Sequence, residues 1–130
     1  MESKQRQFII VDDDPISNII CKTVITNAIS NAEVITFTKP EEGLAYLKSV
    51  FASPGIGKAT LLLDINMPTM TGWEFMEQFE QFEPIVKNLL SVYILSSSVN
   101  PTDREKANAN QNIINYIEKP LSMEGMQSLV

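Results

Sequence analysis

Short apolar, β-branched runs recur at Gln7–Val11, Glu33–Phe37, Thr60–Leu63, Ser91–Leu95 and Ile113–Ile117, each too short for an ordinary helix and each ending near polar or turn residues. They predict five strands. Between them the apolar positions switch to helical spacing: Ile16, Ile19, Ile20 and Val24, then Leu44, Leu47, Val50 and Phe51, then Phe75, Met76, Phe79 and Phe82. Start signals agree with this reading. Asp14-Pro15 offers an N-cap followed by proline at the first helical position, and Thr71-Gly72-Trp73-Glu74 has the form of a capping box. A fourth helix is expected near Thr102, after Asn100-Pro101, and a fifth near Leu121 with ten residues left before Val130. At 1.5 Å rise per residue that last helix is short, as in a truncated chain.

Strands alternating with amphipathic helices imply an α/β fold. Parallel strands need crossover connections, so the prediction is a (βα)5 doubly wound, five-stranded parallel sheet covered by helices on both faces. In such sheets ligands bind at the carboxyl ends of the strands, beside the point where strand order reverses. The 130 residues suit one domain, residues 1–130, with no internal repeat. The loop Ser53-Pro54-Gly55-Ile56-Gly57-Lys58 reads as an exposed connection. It lacks the full phosphate-loop pattern and precedes a strand instead of a helix.

Composition then narrows the chemistry. An apolar fraction of 44% with 20% charged residues is that of a globular protein. A net charge of −6 disfavours nucleic acid and anionic membrane surfaces as partners. No stretch approaches the length of a membrane span, and the lone Cys21 lies in an apolar-periodic segment as a buried, reduced thiol, so the expected compartment is cytoplasmic. The chain has no histidine, which excludes His-based triads, zinc sites and phosphohistidine carriers. Any chemistry must use carboxylates, hydroxyls and lysine.

Those residue types gather at the strand ends: Val11-Asp12-Asp13-Asp14 after the first, Asp64 after the third, Ser96-Ser97 after the fourth and Lys119-Pro120 after the fifth. Each has an ordinary structural explanation alone, Asp14 as a helix cap, Asp12 and Asp13 as solvated loop acids, Ser96 as a turn hydroxyl. Their convergence on one sheet edge does not. Crowded carboxylates stay ionised only beside a compensating cation, and oxygen ligands alone suit a hard ion such as Mg²⁺.

Four segments, Phe8-Ile9-Ile10-Val11-Asp12-Asp13, the run from Leu62 to Gly72 (Leu-Leu-Asp-Ile-Asn-Met-Pro-Thr-Met-Thr-Gly), Ile94-Leu95-Ser96-Ser97 and Tyr116-Ile117-Glu118-Lys119-Pro120, resemble the receiver domains of bacterial two-component response regulators. The match runs over almost the whole chain in order and spacing, and is to the stand-alone, chemotaxis-regulator-like kind. The resemblance implies a flavodoxin-like fold and a phosphorylation-activated switch in a phosphorelay. It makes Asp64 the phosphoacceptor, Asp13 a direct Mg²⁺ ligand, Asp12 a ligand through metal-bound water and Asn66 a ligand through its backbone carbonyl. It makes Lys119 the cation on the phosphoryl group, Ser96 the hydroxyl that moves to bond it, and Tyr116 the switch that follows Ser96. Asn66 and Ser98 fall where the family tunes hydrolysis. The partners implied are a histidine kinase or histidine phosphotransfer protein, a downstream protein of unknown identity, and a second copy through the fourth and fifth helices.

Phosphoryl transfer supports these roles independently, since it asks a protein to position an in-line nucleophile and neutralise charge on the equatorial oxygens. The family assists only its own phosphorylation and dephosphorylation, so no enzyme activity on another substrate is expected. Two other readings compete. A magnesium-dependent phosphatase with an aspartyl nucleophile usually carries a second acid two residues on, where this chain has Asn66. A phosphorylation-independent binding module would not need the complete set of acids and lysine. Ser96 replaces the threonine of many receivers, which keeps the hydroxyl, and Ser53–Lys58 and Glu83–Leu90 are longer than in compact members.

Overall fold

The computed structural model describes residues 6–53, 55–127 and 129. Five strands, β1 (Gln7–Val11), β2 (Glu33–Phe37), β3 (Ala59–Leu63), β4 (Leu90–Ser96) and β5 (Ile113–Glu118), form one sheet in the order β2-β1-β3-β4-β5. Every pairing is parallel. The helices are α1 (Pro15–Ala28), α2 (Pro40–Val50), α3 (Gly72–Glu80), α4 (Pro84–Leu89), α5 (Pro101–Ala109) and α6 (Met123–Met126). This is the doubly wound α/β layer that the alternating pattern predicts.

Strand side chains alternate between two cores. Ile9, Val11, Leu61, Leu63, Val92 and Ile94 pack with Leu47, Phe75, Met76 and Phe79 of α2 and α3. Phe8, Ile10, Leu62 and Leu95 pack with Cys21 and Ile25 of α1 and with Met126. The central strand β3 is buried on both faces over its whole length, which explains why Thr-Leu-Leu-Leu reads as a continuous apolar run.

The start signals hold at atomic detail. The Asp14 carboxylate accepts from the Ile16 amide at 2.9 Å, with Pro15 opening α1. Thr71 and Glu74 form the reciprocal capping box of α3, at 3.1 and 2.9 Å. The Asn100 side chain caps α5 through the Thr102 amide at 3.0 Å.

Three expectations change. The apolar spacing of α1 is not its buried face: Ile16, Ile19 and Ile20 are 67%, 65% and 44% exposed, while Asn18, Cys21 and Ile25 are buried. The Asn18 side-chain Nδ2 donates to the Asp12 carbonyl at 3.0 Å, and that anchor turns the isoleucines outward. Glu83–Leu90, expected as a long connection, contains the extra helix α4, so the predicted fourth helix is α5. The predicted fifth helix makes one turn, Met123–Met126, with Met126 buried and Met123 exposed. Ser128 and Val130 of that expected helix, and Pro54 of the Ser53–Lys58 loop, lie outside the described residues. No helix among the described residues is long and apolar enough to cross a membrane.

Candidate functional site

Strand order reverses between β1 and β3, and the loops leaving those two strands carry Asp12 and Asp64. The sheet's own hydrogen bonding continues one residue past each strand and holds the site backbone. The Asp12 amide donates to the Phe37 carbonyl at 3.0 Å, the Asp64 amide to Val11 at 2.9 Å, and the Lys119 amide to Ser96 at 3.0 Å. Asp12, Asp64 and Lys119 are thus held by the ladder through their backbones, and their side chains are left to act.

The carboxylates of Asp12, Asp13 and Asp64 offer oxygens that all lie within 4.8 Å of one another. Asp12 and Asp64 are buried, and Asp13 is half-exposed at the mouth. Lys119 reaches between the two buried acids, its Nζ 2.5 Å from Asp12 Oδ2 and 3.5 Å from Asp64 Oδ1. Burial, and next the Asp12 charge, push the Asp64 carboxyl up from 3.8 to about 6, although Lys119 and the Ile65 amide pull the other way. Burial works to lower the Lys119 ammonium, but its hydrogen bond to Asp12 and the charges of Asp64 and Asp12 outweigh it and raise it above 10.5. Burial likewise carries the Cys21 thiol, under the same edge, to about 12 with help from the Asp12 charge, so it is an unreactive core thiol.

One lysine does not balance three clustered acids. An all-oxygen donor set with a surplus of negative charge fits a hard divalent cation. Asn66, whose backbone carbonyl completes the predicted set, sits two residues past Asp64 on the exposed side of the same loop.

That loop returns sharply to α3. The Gly72 amide donates to the Ile65 carbonyl at 2.7 Å, and a Cβ on Gly72 would stand 2.6 Å from the Asp64 carbonyl oxygen and 2.9 Å from the Ile65 Cα. Backbone cannot yield as a flexible side chain can. Gly72→Ala is expected to lower stability by about 1–3 kcal/mol and to displace Asp64, which urea unfolding together with the amide shifts of Asp64 and Ile65 would measure.

Ser96 is fully buried at the end of β4, and its Oγ accepts from the Ser98 amide at 3.1 Å. Tyr116 is also buried, its hydroxyl donating to the Ser98 carbonyl at 2.8 Å, with the Arg104 guanidinium 4.5 Å over its ring. Asp14 stands apart as the α1 cap.

Sequence reasoning missed two residues here. Asn18 holds the Asp12 backbone, and Asp103 binds the Ser98 hydroxyl at 2.6 Å and the Trp73 indole at 3.2 Å. Asn18 gave no signal, because the apolar spacing of α1 places it on the face opposite Ile16, Ile19 and Ile20. Nothing local marked Asp103 beyond its place in the first turn of α5.

The sequence profile of the response regulator receiver domain matches residues 8–130. The chain belongs to that family. A two-component response regulator from Cytophaga hutchinsonii superposes on the receiver domain with a TM-score of 0.88 at 31% identity, over 98% of this chain and 95% of that one. A response regulator receiver protein from Dyadobacter fermentans gives 0.85 at 28%, over 95% and 94%. The chemotaxis response regulator CheY4 of Vibrio cholerae, at 19% identity and a TM-score of 0.75 over 97% and 96%, shares the fold. No curated protein matches the chain. Receiver domains are signalling switches in two-component systems, and in this one the strand-end acids form a cluster able to hold a metal ion.

Proposed function

We propose that this receiver domain accepts a phosphoryl group on Asp64 from a histidine kinase or histidine phosphotransfer protein, with Mg²⁺, and passes the signal on through protein contacts in the cytoplasm. The observation that carries this reading is the buried Asp64 carboxylate, within 4.8 Å of two further acids and 3.5 Å from Lys119 Nζ. An Asp64 oxygen attacks phosphorus in line, the phosphorus–nitrogen bond of the donor breaks, and the imidazole leaves with its electron pair and takes up a proton. Asp13, Asp64 and the Asn66 carbonyl would hold Mg²⁺ directly and Asp12 would hold it through metal-bound water, and the ion would supply charge neutralisation on the phosphoryl oxygens. Lys119 keeps its charge in this surrounding and supplies the second counter-charge. The Ser96 hydroxyl donates a hydrogen bond to a phosphoryl oxygen, and Tyr116 reports that contact to the β4–α5 surface.

Intact mass after incubation with acetyl phosphate and Mg²⁺ tests this. A single phosphoryl adduct is expected in the native chain, absent in Asp64→Asn and in EDTA. An unmodified native chain would shift the reading to a phosphorylation-independent binding module.

The exposed isoleucines of α1 favour a particular side for the donor. Ile16 and Ile20 line a cavity of about 270 Å³ with Asp14, Ser97, Lys119 and Pro120, so the apolar patch and the acceptor site share a rim. A donor that brings phosphohistidine to Asp64 would cover that patch. Ile20→Glu is expected to slow transfer from a histidine-phosphorylated protein donor roughly tenfold more than transfer from acetyl phosphate. Equal slowing with both donors, in stopped-flow or gel-based transfer assays, would move the docking surface elsewhere.

A further inference from the structure

Ser98 is the crossing point of the loop after β4. Its amide donates to Ser96 Oγ at 3.1 Å, its carbonyl accepts from the Tyr116 hydroxyl at 2.8 Å, and its own hydroxyl accepts from the Asn100 amide at 3.3 Å. A serine hydroxyl has one proton to give, and that of Ser98 goes to Asp103 Oδ2 at 2.6 Å. Because Ser96 Oγ accepts from Ser98, its own proton is left to donate, and that is the polarity an anionic oxygen requires.

The other Asp103 oxygen accepts from Trp73 Nε1 at 3.2 Å. Trp73 follows Gly72, whose amide is bonded to Ile65 in the acceptor loop. The contacts close a ring: acceptor loop, Gly72 and Trp73 at the start of α3, Asp103 in α5, Ser98, and Ser96 back at the site. On the outer side of that ring Trp73 lines a cleft of about 540 Å³ between α3 and α5, with Lys106 Nζ 5.6 Å over its ring and Glu77 and Glu80 nearby. Asp103 lies in the first turn of α5.

We propose that Asp103 is a positioning residue for the Ser96 hydroxyl, holding the β4–α5 loop through Ser98 and tying it to Trp73, so that occupancy of the Asp64 site is transmitted to the cleft between α3 and α5. The inference rests on the phosphoacceptor reading and adds a route from the site that runs toward α3. Asp103 touches no reacting atom; it acts through Ser98.

Trp73 is the chain's single tryptophan, so its indole N–H gives one resonance. Beryllofluoride with Mg²⁺ serves as the phosphoryl mimic, and fluorine NMR reports complex formation separately. In the native chain the indole resonance shifts on saturation. In Ser98→Ala the complex still forms but the indole shift falls to the part carried through Gly72 and Ile65, because the Trp73–Asp103 bond remains and its link to Ser98 and Ser96 is cut. Asp103→Ala binds the mimic roughly tenfold more weakly, the scale expected for losing one hydrogen bond to a charged group. Asp103→Asn, which keeps one acceptor oxygen, recovers part of that loss.

A native complex with an unmoved indole, or mimic binding in Asp103→Ala as tight as in the native chain, overturns the proposal. An indole that shifts as far in Ser98→Ala as in the native chain does the same. Absence of any complex in the native chain overturns the phosphoacceptor reading, and this inference with it.

Discussion

Lys119→Met is expected to lower the stability of the metal-free protein at pH 8 by about 3–5 kcal/mol, the cost of breaking a buried ion pair by removing one partner. Lys119 is the cation that the described residues place against Asp12 and Asp64, at 2.5 and 3.5 Å, and both carboxylates are buried. Methionine fills similar volume, so lost packing contributes little and the effect reports the two orphaned charges. Even with Lys119 present, Asp64 stands at about 6, and Lys119 is one of the causes that hold it down. Its removal sends Asp64 higher still. The deficit should therefore shrink as pH falls through the raised value and the carboxyl takes up a proton. Asp12→Asn in the same chain should restore most of the loss by removing the like charge. Urea unfolding in EDTA at pH 8 and pH 5 decides the matter: a Lys119→Met midpoint equal to the native one at pH 8 would mean that the ammonium does not hold the acids.

That result would bear on what can be read in advance from such a chain. The sheet was legible because the inner strands β1, β3 and β4 are buried almost throughout and the edge strands β2 and β5 keep short β-branched runs although they are partly exposed, and the Asp14, Thr71 and Asn100 caps followed from local chemistry that tertiary contacts did not override. Strand-end acids were legible for the same reason, since a parallel sheet sends all its carboxyl ends to one edge. The outward turn of Ile16, Ile19 and Ile20 was not. Helical spacing marks a stripe, but a single inward hydrogen bond from Asn18 to the Asp12 carbonyl selects which stripe faces the sheet. The apolar stripe was then left exposed outside the core. The short helix α4 escaped because its six residues are too few to show a period. Asp103 escaped because its two partners, Trp73 and Ser98, lie 30 and 5 residues away and meet only once α3 and α5 are side by side.

The acceptor itself is expected to act in the opposite sense to Lys119. Asp64→Asn should raise metal-free stability at pH 8 by about 3 kcal/mol, the free energy that separates a carboxyl of 3.8 in the unfolded chain from one of about 6 in the fold. The attraction of Lys119 is already included in that value, so the remainder is a net cost of ionising Asp64 beside Asp12 under the sheet edge. The direction with pH follows. Below about 3.8 the carboxyl is neutral in both states and contributes no difference. Between 3.8 and about 6 the unfolded chain has released its proton while the fold retains it, so the native protein loses stability as pH rises. Above about 6 both states are ionised and the full cost is present. Asparagine, nearly the same shape and uncharged, removes this cost and leaves Lys119 paired with Asp12. For a chain of this size the gain corresponds to roughly 10 °C in Tm. Adding Mg²⁺ should narrow the gap, because a ligand that binds only the fold stabilises the native chain more than a variant lacking one anionic oxygen donor. A destabilising carboxylate buried at the strand ends is what a stability–function trade-off predicts for an acceptor. Thermal melts of both proteins from pH 4 to 8, in EDTA and in Mg²⁺, would decide it. Superimposable native and Asp64→Asn curves in EDTA would show that Asp64 carries no such cost.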